Sequence, residues 1–306
     1  MAHAIQVGDT TIQRVIEVEA MPAPAAFMFP NVSPEAVARA RATFGPELFD
    51  AATDSVILGV HSYVIRVGGR TILVDSCIGN DKERPATPGM HHLQTDYLAT
   101  LAAAGVRPEE VDLVLCTHLH PDHVGWNTRL RDGGWVPTFP NARYLIGRRE
   151  FEEAQRLRAL PPVHEMAADL QTMFDDSVLP IERSGQLVLV EDDHAVVREL
   201  DHGIRLEPAH GHSFGQLMVH VESGAAHAVL SADVIHHPIQ LLDLSIAQIG
   251  DYDRAQAEAT RRRLVETYVD TDTVISPAHF PARNAGRLVS DGDGFAFDWL
   301  ASAVTR

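Results

Sequence analysis

Residues 117–126 read THLHPDHVGW, and the fold is decided by this stretch. His118, His120, Asp122 and His123 fall in the pattern H-x-H-x-D-H. Neutral imidazole is the commonest protein ligand for transition metals, and so dense a cluster is costly without an ion to hold it together. The preceding run VDLVLC, residues 111–116, is short and almost wholly apolar, as a strand covered on both faces would be. The cluster therefore occupies the loop that leaves a buried strand, where scaffolds usually present site residues. Imidazoles two apart can converge on one ion, while Asp122 and His123 reach a neighbouring ion as the loop turns through Pro121.

Working outward, VHSYVIRV, a GGR turn and TILVD upstream predict a hairpin, followed by a helix near Gln94 to Ala104. Downstream come a strand at Ala142 to Ile146 and helices at Arg148 to Arg158 and Val163 to Phe174. The strands LVLV, GIRLEP, QLMVHVE and AHAVLSAD follow. A helix from Asp253 to Val269, with Asp253 as N-cap, precedes the strand TDTVIS. Strands and helices thus occur in two similar successions, each ending strands in histidine or aspartate, which argues a layered α/β sandwich.

At the amino end, IQV and TIQRVIEV read as strands, and residues 21–30 read as irregular. Ser33 and Pro34 open a short helix to Arg41. Residues 1–55 are expected to be N-terminal strands and an arm or lid belonging to the same domain as residues 56–306. Phe27, Met28 and Phe29, with Trp126, Trp135 and the segment HHPIQLL, are candidates for an apolar chamber; ordinary core packing is the competing reading.

A binuclear site needs ligands beyond the first cluster. Three later places carry a lone histidine or aspartate beside small residues: His212 in GHSFGQ, Asp233 in LSADVIHH and His279 in SPAHFP. Each alone also reads as a turn histidine, a capping aspartate or a hydrogen-bonded loop histidine.

Composition removes several alternatives. The 306 residues carry 42 acids against 25 bases, a net charge of -17 that repels a phosphate backbone, so no nucleic-acid partner is expected. No apolar run is long enough to span a bilayer and the opening residues lack a leader's pattern; a cytoplasmic protein without a membrane partner is the expectation. Cys77 and Cys116 lie in apolar runs and read as reduced core thiols. No G-x-S-x-G elbow supplies a serine nucleophile.

HLHPDH, GHSFG, ADV, AHF and the earlier LVDSCIG together resemble the metallo-β-lactamase superfamily over roughly residues 56–290, specifically its branch that includes lactonases and methyl parathion hydrolase. The resemblance implies an αββα sandwich of two similar halves. It also implies that His118, His120 and His212 bind a first ion, that Asp122, His123 and His279 bind a second, and that Asp233 bridges them. Asp75 becomes a carboxylate that orients a ligand imidazole. His210, two residues before His212, competes for the same role, and His212 is preferred because Ser213, Phe214 and Gly215 match the family's Thr-Pro-Gly. Phe214 and Gln216 depart from the common motif. His236 and His61 remain candidates for touching substrate.

The implied cofactors are two divalent ions, zinc foremost, with manganese, iron or cobalt as alternatives. The implied reaction is hydrolysis of an ester-like bond in a small molecule by a metal-bridging hydroxide, with Asp122 or Asp233 as proton carrier and Asp122 preferred. A lactone or aryl ester is the first expectation, then an organophosphate triester. Aspartate at 233, where the best-known β-lactamases have cysteine, disfavours penicillin hydrolysis. Hydrolytic dehalogenation and an iron-dependent oxidoreductase are the competing activities, and the apolar arm suggests a homodimer.

Overall fold

The computed structural model describes residues 4–198, 202–281, 283–292 and 294–300. The chain forms two compact units. One contains Thr11–Glu17 and His61–Asp192; the other contains Ile5–Thr10, Val18–Val60 and the described residues from Asp193 onward.

In the first unit the end of strand Ser55–Val67 pairs antiparallel with Arg70–Val74, placing Tyr63 opposite Val74. Three parallel pairings follow, to Leu113–Cys116, Arg143–Gly147 and Leu187–Val190. Leu73, Val114, Leu115 and Ile146 are buried, as expected for strands covered on both faces. Parallel neighbours need crossovers, and the helices Tyr97–Ala103, Arg148–Arg158 and Glu165–Met173 lie in them.

This unit also buries an ionic cluster. Arg84 donates to both carboxylate oxygens of Asp176 at 2.7 and 2.8 Å. Lys82 Nζ donates to Thr128 Oγ1 at 2.7 Å and stands 3.6 Å above the Trp135 ring. Burial depresses the Lys82 ammonium to about 7, against the pull of Asp176.

The second unit contains a seven-stranded sheet in the order Ala195–Arg198, His202–Pro208, Leu217–Ser223, Ala226–Ala232, Val274–Pro277, Gly286–Asp291, Gly294–Trp299. Its neighbours are antiparallel except Ala226–Ala232 and Val274–Pro277. The crossover between those two carries helix Arg254–Tyr268, capped by the Asp253 side chain on Gln256 N. Leu264 and Val265 on that helix pack on Met218, Val229, Ile275 and Phe280 of the sheet side.

The stretch expected to be irregular, residues 21–30, is more ordered. Strand Thr10–Pro24 runs into it and a helical turn, Ala25–Met28, follows. Ala25 N donates to Asp54 O at 2.8 Å, and Phe29 is fully buried beside Ala36, Ala40, Phe49 and Val56. Burial of that aromatic side chain outweighs the weak local propensity. Phe29 therefore belongs to the second unit's core, whereas Phe27 is 57% exposed. Helix Pro34–Thr43 forms as read, with Ser33 Oγ accepting from Ala36 N. Among the described residues no helix is long and apolar enough to cross a membrane.

Candidate metal centre

In the first unit the donors follow strand Leu113–Cys116. His118 and His123 are buried, with ring centroids 4.1 Å apart, and His120 stands 4.6 Å from His118. Asp122 Oδ1 lies 3.9 Å from His123 Nε2.

Asp75 orients this loop with both of its oxygens. Oδ1 accepts from Thr117 N at 2.7 Å, while Oδ2 accepts from Thr117 Oγ1 at 2.8 Å and from His123 Nδ1 at 2.8 Å. Because the Thr117 hydroxyl donates to Asp75, it accepts from His118 Nδ1 at 3.1 Å. The protons of both imidazoles are thus held on Nδ1, and each Nε2 keeps its lone pair for an ion. Asp75 holds a left-handed backbone, φ 55°, which redirects its carboxylate from the strand end toward the loop.

Two further carboxylates were not found from sequence. Glu150, buried at the start of helix Arg148–Arg158, accepts from Leu119 N at 2.9 Å and so fixes the backbone between His118 and His120. Glu17 accepts from Ile78 N at 2.6 Å and from Trp126 Nε1 at 2.6 Å, and burial raises its pKa. The loop it braces runs against Gly125, where an added Cβ would stand 1.6 Å from Ile78 O. Trp126 and Trp135 are therefore held by Glu17 and Lys82. His61 is buried with Nε2 2.8 Å from Tyr63 OH.

In the second unit three strand ends converge on one aspartate. Asp233 Oδ2 lies 3.3 Å from His212 Nε2, 3.1 Å from His279 Nε2 and 3.0 Å from His236 Nε2. His212, not His210, meets Asp233; the His210 carbonyl accepts from Thr260 Oγ1 at 2.7 Å. His279 Nδ1 donates to Gly59 O at 3.0 Å, and His212 Nδ1 to Asp251 Oδ1 at 2.9 Å. In both, Nδ1 is anchored and Nε2 is the nitrogen that faces Asp233 Oδ2. Gly211, at φ 127°, precedes His212; a Cβ there would stand 2.2 Å from Ala257 N, so both conformation and space require glycine.

Asp251 was also missed from sequence: nothing in IGDYD distinguishes it from the nearby capping Asp253. Burial works against its ionisation, but the bond to His212 draws its pKa down. Burial likewise lowers the His212 pKa, yet Asp233 and Asp251 together raise it to about 9. Burial holds His236 down to about 4. Arg261 completes the support, donating from Nε to Val234 O at 2.9 Å and from NH1 to Leu244 O at 2.7 Å.

The residues fit divalent ions in both units: buried imidazoles with anchored Nδ1 atoms, and carboxylates beside each set. A third group of donors, Glu83, His91 and His92, lies near the surface of the first unit. His91 Nδ1 accepts from Arg84 N at 3.0 Å, which keeps its proton on Nε2 and suits a metal poorly.

Fold and donors together are those of a mixed α/β protein with histidine and aspartate groups suited to divalent ions. The family model of the metallo-beta-lactamase superfamily matches residues 56–279, and the chain belongs to that superfamily. No curated protein matches it in sequence. Solved structures share its fold at low identity. AidC, a dizinc quorum-quenching lactonase in complex with a product, has a TM-score of 0.76 at 17% identity, covering 100% of this chain and 98% of its own. The hydrolase AbOPH, described as in the beta lactamase superfamily, gives 0.76 at 21%, covering 98% and 96%. A probable metal-dependent hydrolase from Staphylococcus aureus gives 0.75 at 19%, covering 97% and 100%.

Proposed function

We propose that this protein hydrolyses a carboxylic ester bond in a small molecule, a lactone foremost, using two divalent ions, with zinc the first choice. In this reading His118, His120 and His212 hold one ion, Asp122, His123 and His279 hold the other, and Asp233 is shared. When bound, the ions supply Lewis acidity toward the substrate carbonyl and bring the pKa of a water toward neutrality.

The chain's own residues hold and orient these groups. Asp75 and Asp251 anchor Nδ1 of His123 and His212, so that Nε2 is the nitrogen each ring turns toward an ion. Asp122, with 16% of its side chain exposed against 2% for His123, accepts a proton from the attacking water and returns it to the leaving oxygen. The observation that carries the reading is that each unit presents histidines at strand ends with one imidazole anchored by a buried carboxylate. AidC, a lactonase of the same fold, favours a lactone as substrate. Aryl esters and phosphotriesters are the next substrates to test.

Elemental analysis of the purified protein, paired with turnover of lactone, aryl ester and phosphotriester panels before and after chelation, tests this. Two zinc per chain with chelator-sensitive lactone hydrolysis supports it. One iron per chain, or activity indifferent to chelation, overturns it.

A further inference from the structure

His236 and His237 are adjacent in sequence, both buried, and chemically opposite. His237 has both ring nitrogens bonded: Nε2 donates to Leu48 O at 2.8 Å and Nδ1 accepts from Ile239 N at 3.1 Å. His236 has neither nitrogen in a hydrogen bond among the described residues, although it is only 2% exposed. Its Nε2 is 3.0 Å from Asp233 Oδ2 without the alignment of a hydrogen bond. Leaving buried polar groups unpaired costs about 1 to 3 kcal/mol each, and an ion is one of the few things that removes that cost.

The surroundings are built rather than accidental. Donor atoms of His212, Asp233 and His236 all lie within 4.8 Å of one another. The His236 ring lies edge-on to His212 at 4.7 Å and parallel to His279 at 5.4 Å. Three buried side chains pin the turn that carries it. Gln216 Oε1 accepts from Asp233 N at 3.3 Å, Arg261 Nε donates to Val234 O at 2.9 Å, and Gln240 Oε1 accepts from His236 N at 2.7 Å. Nitrogen and oxygen atoms about 3 Å apart but out of hydrogen-bond alignment are what two neighbouring ligands of one ion present, since each lone pair aims at the ion and not at the other atom.

We propose that His236 is a metal ligand, so that the second unit alone contributes three donors, His212, Asp233 and His236, to one divalent ion. This rests on the reading that His212 and Asp233 bind metal, and it adds a protein ligand to the set implied by the family resemblance.

The test uses the full chain loaded with zinc or cobalt. His236→Ala and His236→Gln should each weaken zinc at one site by at least about tenfold in chelator competition, and change the visible absorption of the cobalt form. His236→Cys gives a gain of signal: a thiolate in the coordination sphere adds a sulfur-to-cobalt charge-transfer band in the near ultraviolet that the wild type lacks. Circular dichroism and melting of each variant separate a folding defect from a ligand defect. Unchanged zinc affinity in the Ala and Gln variants, with no new band in a folded Cys variant, overturns the proposal. If wild-type protein binds no divalent ion, the functional reading itself fails, a different result from metal-loaded variants that match the wild type.

Discussion

The two units meet the same chemical requirement by different means. In the first, four donors lie between His118 and His123, and one loop leaving one buried strand presents them all. In the second, His212, Asp233 and His279 are far apart in sequence and come from separate strand ends. The parallel pairing of Ala226–Ala232 with Val274–Pro277, with Ala232 opposite Pro277, makes both strands exit on the same side, so Asp233 and His279 meet. Both units then fix an imidazole with a buried carboxylate: Asp75 on His123 and Asp251 on His212. Both also place a residue other than glycine in the left-handed region at a strand end, Asp75 at φ 55° and Ala232 at φ 47°. A local motif and a long-range convergence can thus reach equivalent donor chemistry, and the carboxylate support is what they share.

The comparison can be broken most sharply at the aspartates beside the histidines. Asp122→Asn is expected to lower turnover about 10² to 10⁴-fold with metal content retained, measured by steady-state kinetics and elemental analysis together. Asp233→Asn should instead lower metal content, since Asp233 is the donor proposed to be shared and meets three imidazoles in the second unit. Wild-type turnover by Asp122→Asn at full metal occupancy would remove the proton-carrying role.

Next in size is the backbone before His212. Gly211→Ala should cost about 2 to 5 kcal/mol in chemical denaturation, because φ 127° and a Cβ 2.2 Å from Ala257 N combine strain with overpacking. Gly133→Ala, whose Cβ would meet nothing within 4 Å, should cost clearly less. Equal costs would mean that the second unit tolerates movement of its histidine loop.

The carboxylate supports are expected to be equivalent. Asp75→Asn and Asp251→Asn should each weaken metal binding about 10 to 100-fold in chelator competition. A loss confined to Asp75→Asn would show that the second unit's ligands are held by packing, and the parallel between the units would fall.

The smallest effect separates the units by pH. Burial lowers Lys82 in the first unit from 10.5 to about 7, so across that window the unfolded chain carries a proton that the native one lacks. Unfolding then takes up a proton, and native stability rises with pH by up to about 1.4 kcal/mol per unit from this group. The stability of wild type relative to Lys82→Met, read from urea midpoints at pH 7.5 and 9, should increase accordingly. A flat difference would place the Lys82 pKa outside the window. Arg261, the second unit's buried cation, should add no such slope because a guanidinium keeps its proton throughout.

The sequence by itself determined what local chemistry can determine. A cluster as dense as His118 to His123 declares a metal, an unbroken apolar run declares the buried strand before it, and Ser33 and Asp253 announce helix starts through their capping oxygens. Tertiary structure decided the rest. Phe29 entered a core because apolar area was there to bury it, and His212, already preferred to His210 from the residues that follow it, was carried to Asp233. Asp251, Glu150 and Glu17 became supports only once folding carried each carboxylate to a donor far away in sequence, as Glu17 is brought to Trp126. Ligand type is a property of residues in a short window, whereas orientation and support depend on contacts between distant segments that local periodicity does not encode.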